Sequence, residues 1–338
     1  MKVTNPSIKK LVILTTHFGD NFSGGSTATH EIFQDLQHQF EEIIVVCRKI
    51  GHHTFSKLNF KTYRNFRDAM KILKSLGDDR TIFYGDFYNS IWFVWTKKTF
   101  YFTYHDNWPE MTHVSKKDFF RSFFYLPVYQ SIFRNAKSVI VVSEYKKKYV
   151  SAYTRSVYLV RNGFNKNSFT TKNQVSLPAK ILMVGNIEKR KYKYACRLFR
   201  KIDRDFPAEI HIFGHILDRA LSGKLKSFGF VRIMDYQKSI PYENYRCLLH
   251  TSMIENLPLS ICESLYYSIP VIAFNVGGIA EVVNETNGIL IEPFDLDSML
   301  LSIDQVIYNE VILSFKKNDL SEYDWKLASQ KYADILLK

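Results

Sequence analysis

The chain has 338 residues, more than one hydrophobic core usually serves, so two domains are expected. Hydrophobic residues make up 46% and charged residues 23%, a balance that excludes bulk disorder. The net charge of +13 is lopsided: residues 1–170 hold 25 Lys+Arg against 13 Asp+Glu, and residues 171–338 hold 21 against 20, so the first half favours an anionic partner such as a phospholipid surface, a phosphorylated acceptor or nucleic acid.

In chain order, Lys9 and Lys10 precede only the short apolar run Leu11-Val12-Ile13-Leu14, which is not a signal peptide. No segment approaches the ~20 apolar residues of a bilayer span. A cytoplasmic protein is expected. Candidate strands follow at 11–15, 43–47, 81–84, 100–104 and 138–142, with helical patterns over 25–40, 64–76 and 117–135. This alternation predicts a parallel sheet with helices on both faces. A polar stretch over 162–178 reads as a linker. The alternation restarts with strands at 181–184, 208–213, 231–234, 247–251, 271–274 and 288–291. A polar break at 316–319 precedes a last helix over 325–337 that could pack on either domain. The predicted organisation is an N-terminal domain over 1–165, a C-terminal domain over 166–320 and a helical segment over 321–338. Cys47, Cys196, Cys247 and Cys262 form no C-x-x-C pair and read as buried thiols of a reducing compartment.

Five motifs sit where strands end, which is where open parallel sheets bind ligands. Gly24-Gly25 follow the first strand and precede a helix, so backbone can approach an anion there, although such a turn is often only a turn. His105-Asp106 end the fourth strand; a lone His there is more often structural than catalytic. Gly185-Asn186 lead to Lys189-Arg190-Lys191 at a helix start, where cations oppose the macrodipole unless they meet an anion. Glu255 precedes Pro258, which fits a first helical turn, and the N–H groups of Leu259 and Ser260 suit a diphosphate. Glu263 follows within that helix. Its carboxylate on an apolar face needs a partner, either a ribose diol or a structural ion pair. Gly277-Gly278 then open what reads as another helix.

The run from Glu255 to Glu263, through Pro270-Val271-Ile272 to Gly277-Gly278-Ile279-Ala280-Glu281 and Asn287-Gly288, closely resembles retaining glycosyltransferase family 4, with its E-x7-E signature. Gly24-Gly25, His105, Asn162-Gly163 and the segment from Gly185 to Lys191 agree with that family in order. The resemblance implies the GT-B fold: two Rossmann-like α/β domains with parallel sheets facing across a deep cleft. It implies a nucleotide-sugar donor, UDP-linked by preference. The implied donor-binding residues are Gly24, Gly25, Gly185, Asn186, Arg190, Lys191, Met234, Glu255, Leu257, Leu259, Ser260 and Glu263. Catalytic roles fall to Glu255 at the hexose, Lys191 at the diphosphate and His105 near the transferred sugar. No metal or other cofactor is implied, and the anomeric configuration is retained. Asn186 stands where the family often has Arg, with Arg190 as a substitute cation. Tyr192 and Asn256 each stand where Gly is common. Asp295-Leu296-Asp297 has D-x-D spacing, but N-capping explains it.

Residues 116–149 interleave cations and rings, from Lys116, Lys117, Phe119 and Phe120 to Lys146-Lys147-Lys148-Tyr149. In a GT-B protein this domain binds the acceptor, so the face fits a glycan or lipid-linked acceptor at the inner face of an anionic plasma membrane, as in lipopolysaccharide or capsule assembly. The bland alternative is core rings and solvated lysines. Two other functions compete. A non-catalytic subunit supporting a partner transferase is opposed by the retained Glu255, Glu263, Lys191 and His105. A nucleic-acid binder lacks any reading module.

Overall fold

Consecutive apolar residues in a strand need cover on both faces of their sheet, and the computed structural model supplies it. It describes residues 10–20, 22–56, 58–77, 80–164, 180–203, 205–237, 239–308 and 320–337; most of 162–178 and the polar break at 316–319 lie outside these. The chain forms two units, Met1–Gly163 with Glu322–Lys338, and Phe164–Ser321.

The first unit runs β1 (Lys10–Leu14), β2 (His17–Phe18), α1 (Gly24–Leu36), β3 (Glu42–Cys47), β4 (Lys49–Ile50), β5 (Asn59–Thr62) and α2 (Phe66–Ser75). It continues with β6 (Thr81–Gly85), α3 (Ile91–Trp95), β7 (Phe100–Tyr104), α4 (Lys116–Asn135), β8 (Ser138–Val141), α5 (Glu144–Val150) and β9 (Val157–Leu159). Seven strands form one sheet in the order β5-β3-β1-β6-β7-β8-β9. Every pairing within it is parallel. β1 lies between β3 and β6 with alternate residues on opposite faces. Leu11 and Ile13 pack with Ile32, Phe33 and Leu36 of α1. Val12 and Leu14 share the other core with Leu73, Phe93, Ile132 and Phe133.

The predicted last helix is α10 (Trp325–Leu336), and it belongs to the first unit. Ala328, Tyr332 and Leu336 join the α1 face of the core. The Tyr332 hydroxyl shares a 2.9 Å hydrogen bond with the Thr103 hydroxyl on β7. The Ser329 hydroxyl donates to Asp35 on α1. A Cβ on Gly163 would stand 2.4 Å from the Trp325 backbone nitrogen, so glycine admits the helix at that point.

One reading of the basic face changes. Lys146 on α5 is fully buried, its ammonium donating to the Trp108 carbonyl and to Glu110. The rings of Tyr104, Tyr145 and Tyr149 lie around it. Of the rings that suggested a surface stripe, Tyr149 lines this burial instead. Lys148 stays exposed.

The second unit contains β10 (Lys180–Val184), α6 (Lys189–Phe199), β11 (Glu209–Phe213), α7 (Arg219–Lys226), β12 (Val231–Ile233) and β13 (Cys247–His250). α8 (Leu259–Tyr266), β14 (Val271–Phe274), β15 (Gly288–Ile291) and α9 (Leu296–Ile307) follow. Its sheet is parallel in the order β12-β11-β10-β13-β14-β15, the doubly wound arrangement whose order reverses between β10 and β13. The helix expected after Gly277-Gly278 is only a single 3₁₀ turn, Ile279–Glu281. Asn287 explains the stop. Its side chain donates to the Val282 carbonyl and accepts from the Asn284 N–H, taking backbone groups a longer helix would use. Asp295 caps α9 by accepting from the N–H groups of Asp297 and Ser298, as the capping reading requires. All four cysteines are buried.

Tyr332→Ala is expected to cost the first unit about 3–5 kcal/mol, the usual loss for deleting a buried ring. Urea unfolding of the full chain checks this. A loss below about 1 kcal/mol would mean that α10 merely rests on the core.

Candidate functional site

The reversal of strand order opens a gap beyond the carboxyl ends of β10 and β13, because the connections after them leave on opposite faces. The two connections carry the motifs singled out in the sequence. After β10 come Gly185, Asn186 and the start of α6; after β13 come Thr251 to Pro258 and the start of α8. They are tied by two hydrogen bonds: the Met253 N–H donates to the Arg190 carbonyl, and the Thr251 hydroxyl donates to the Lys191 carbonyl.

Glu255 is the centre of this arrangement, and it is 8% exposed. Its Oε1 lies 3.3 Å from an Arg190 guanidinium nitrogen, 3.4 Å from Lys191 Nζ and 3.3 Å from His250 Nε2. Burial pushes the carboxyl up, but the Lys191 and Arg190 charges outweigh it and hold Glu255 well below the usual carboxylate range. His250 is pushed down by burial, with Glu255 opposing. The anion that excuses cations at the start of α6 is therefore, in this structure, a protein carboxylate.

The three cations divide. Lys189 points to solvent. Arg190 is largely committed: it donates to Glu188 at 2.7 Å, to the Ile254 carbonyl at 3.2 Å and to Glu255. It holds the Glu255 loop and is a poor replacement for a mobile diphosphate cation. Lys191 touches only one edge of Glu255 and lies across Gly185. A Cβ there would stand 2.7 Å from Nζ, on a backbone with φ of +139° that already favours glycine. Tyr192, read as a departure from the family, is buried and donates to the Gly185 carbonyl, bracing the same turn. Asn186 accepts from the His215 N–H.

Gly277 has a comparable purpose. Its φ is +59°, and a Cβ would sit 1.7 Å from the Glu255 carbonyl oxygen. The Gly-Gly turn lets the β14 connection close on the Glu255 backbone. It is not a second helix start.

α8 begins at Leu259 with Pro258 as N-cap, which offers no side-chain acceptor to the first N–H groups. Ser260 and Leu257 are buried beside it. Four residues after Leu259, Glu263 is half-buried and accepts a hydrogen bond from the Tyr242 hydroxyl. Burial pushes its carboxyl up to about 7, against that hydrogen bond. The apolar-face Glu thus has a protein partner, which the sequence did not reveal. Met234 lies just past β12, 37% exposed, with its N–H donated to the Ile212 carbonyl. Near it, the rings of His215 and Tyr236 stack at 4.4 Å.

The first unit brings its own two motifs together. Gly25 lies in the first turn of α1, where Ser23 caps the helix. A Cβ on Gly25 would stand 3.1 Å from the His105 Cβ and 3.2 Å from its ring, whereas Gly24 faces open space. Burial pushes the His105 imidazole down to about 4, so the ring is neutral at ordinary pH. Asp106 accepts from the Tyr129 hydroxyl.

Residues 165–324 match the family model described as glycosyl transferases group 1. A sucrose-phosphate synthase from Thermosynechococcus elongatus superimposes with a TM-score of 0.78 at 16% identity, covering 97% of this chain and 98% of that one. HepE from Anabaena, in complex with UDP-glucose, gives 0.77 at 15% identity, covering 97% and 99%. The lipopolysaccharide outer core galactosyltransferase WaaB in its apo form gives 0.66 at 17% identity, covering 96% and 98%. No curated protein matches the sequence. The two parallel-sheet units have the GT-B fold. The second carries a group 1 glycosyltransferase domain, and the chain is a glycosyltransferase by that domain.

The raised Glu263 value sets a pH dependence. A carboxyl at an ordinary 4.5 in the unfolded chain and about 7 when folded favours folding fully below 4.5. That contribution is lost as pH rises to about 7. Glu263→Gln should therefore flatten the fall in stability between pH 4.5 and 7, as followed by denaturant melts. Parallel pH profiles for the two proteins would contradict the assignment.

Proposed function

We propose that this enzyme transfers a hexose from a UDP-sugar to a glycan or lipid-linked acceptor in bacterial surface polysaccharide assembly, retaining the anomeric configuration. The observation that carries the reading is the ionised Glu255 carboxylate, buried where β10 and β13 diverge, beside Lys191 and the uncapped start of α8. The carboxylate suits the hydroxyls of the hexose. Lys191 Nζ and the first N–H groups of α8 suit the diphosphate, whose charge grows as it departs. Glu263, four residues past the helix start, suits the ribose diol, with Met234 near the base. HepE's complex with UDP-glucose supports a uridine donor on this fold.

In the proposed step, the bond from the anomeric carbon to the diphosphate oxygen breaks. The acceptor hydroxyl oxygen bonds to that carbon from the same face. Its proton passes to the leaving phosphate oxygen. Lys191 stabilises the leaving group electrostatically, and Glu255 orients the sugar. The neutral His105 imidazole, able to donate from one nitrogen and accept at the other, suits sugar hydroxyls, and Gly25 lets the backbone pass close to it. Neither metal nor cofactor takes part in this step.

A thermal shift series with UDP, GDP and ADP tests the donor. UDP is expected to raise the melting temperature by several degrees and the others less. Glu255→Gln, which keeps the side chain's shape, should retain the UDP shift while turnover falls about 100-fold or more. A protein indifferent to all three nucleotides would sink the donor reading. Undiminished turnover in Glu255→Gln would remove Glu255 from the mechanism.

A further inference from the structure

A helix packed on a sheet normally turns its apolar residues inward. The first two turns of α4 reverse this. Phe119, Phe120, Phe123 and Phe124 are 48%, 69%, 69% and 54% exposed, while Asp118 and Ser122 on the same turns are buried. The inward residues are held locally. Asp118 accepts from the Ser115 hydroxyl and lies 3.4 Å from Arg121, and the Ser122 hydroxyl donates to the Phe119 carbonyl. The register of the helix is thus fixed with its rings outward. The rings also pack on one another, Phe119 meeting Phe120 at 5.7 Å and Phe123 at 5.5 Å, both edge to face. Four adjacent exposed rings on a folded surface mark an interaction site.

Charge identifies the occupant. Lys116, Lys117 and Arg121 are exposed along the same two turns. The sole acidic residue of α4 is Asp118, which faces inward. A partner protein's apolar groove would satisfy the rings and leave three cations at its rim. An anionic lipid surface satisfies both, with rings entering the acyl boundary and lysines meeting headgroups. α4 carries Pro127 and four charged residues in its first six, so it lies on the surface and does not span it; among the described residues no helix is long and apolar enough to cross a membrane.

We infer that the N-terminal half of α4 is a monotopic docking face for anionic phospholipid, with Phe120 and Phe123 as its main anchors. This goes beyond the transfer reaction and stands on a surface remote in sequence from Glu255. Lipid binding and turnover are therefore read separately.

The test is co-sedimentation of the full chain with vesicles of phosphatidylglycerol and phosphatidylethanolamine, against vesicles of phosphatidylcholine alone. Binding to the anionic vesicles is expected, with little to the neutral ones. Lys116→Glu with Lys117→Glu should weaken it at least 25-fold at low salt, roughly fivefold for each cation lost. Phe120→Ser with Phe123→Ser should weaken it tenfold or more, while thermal melting and any nucleotide shift stay as in the parent, since both rings are surface groups. Absence of binding to anionic vesicles would overturn the proposal. So would unchanged binding in the double Phe variant. Sedimentation of the parent as a dimer and of that variant as a monomer, with neither bound to lipid, would also overturn it and make the face a contact between copies.

Discussion

A carboxylate buried at 8% exposure is the constraint around which the second unit is arranged. Removing an ion from water costs several kcal/mol even after relaxation, and the cost is recovered only with close opposite charge. Arg190 supplies that charge from one connection of the sheet and Glu255 receives it on the other. The pair therefore pins the two loops that flank the reversal of strand order. The pinning is asymmetric. Arg190 is bound on both sides, by Glu188 and by the Ile254 carbonyl. Lys191 touches Glu255 from the edge and rests on a glycine. One cation is structural and the neighbouring one can still meet a substrate.

The glycines around this pair answer to contact as much as to turn geometry. At Gly185 the constraint is the Lys191 side chain, and at Gly277 it is the Glu255 carbonyl. Each lies at a strand end, where a side chain would push the ion pair apart. The doubly wound order thus does more than bring the loops into one neighbourhood. It brings them within hydrogen-bond distance, and glycine is needed at 185 and 277, where the approach leaves no room for a Cβ.

The long strands were legible in the sequence because buried parallel strands are unbroken apolar runs, and all six of the second sheet were placed within about a residue or two. What escaped was short or marginal. β5 reads Asn59-Phe60-Lys61-Thr62 at a sheet edge, where one covered side suffices and no apolar run is required. α5 was hidden by its own lysines, since a buried Lys146 is legible only once Glu110 and the Trp108 carbonyl are seen beside it. At the site, the residue types were readable and the partners were not. Neither Arg190 on Glu255 nor Tyr242 on Glu263 follows from spacing, because both pairs join elements distant in the chain. Glu263, read as meeting either a ribose diol or a structural ion pair, already has a tyrosine hydroxyl, so a nucleotide would have to share or displace that bond.

The same logic extends to the residues beside Glu255 and Lys191. Asn186, Tyr192 and Asn256, which the sequence reading set apart from the pattern it resembles, are built into the loops. Asn186 accepts a backbone N–H from the β11 connection, Tyr192 supports Gly185, and Asn256 is buried next to Glu255. Tyr192 fills space that glycine would leave empty, and it fixes the Gly185 carbonyl in doing so. Asn186 ties the same turn to the β11 connection. These contacts hold the turn against which Lys191 lies. The shape of the backbone around Glu255, with Asn256 buried next to it, is therefore set by contacts within these loops.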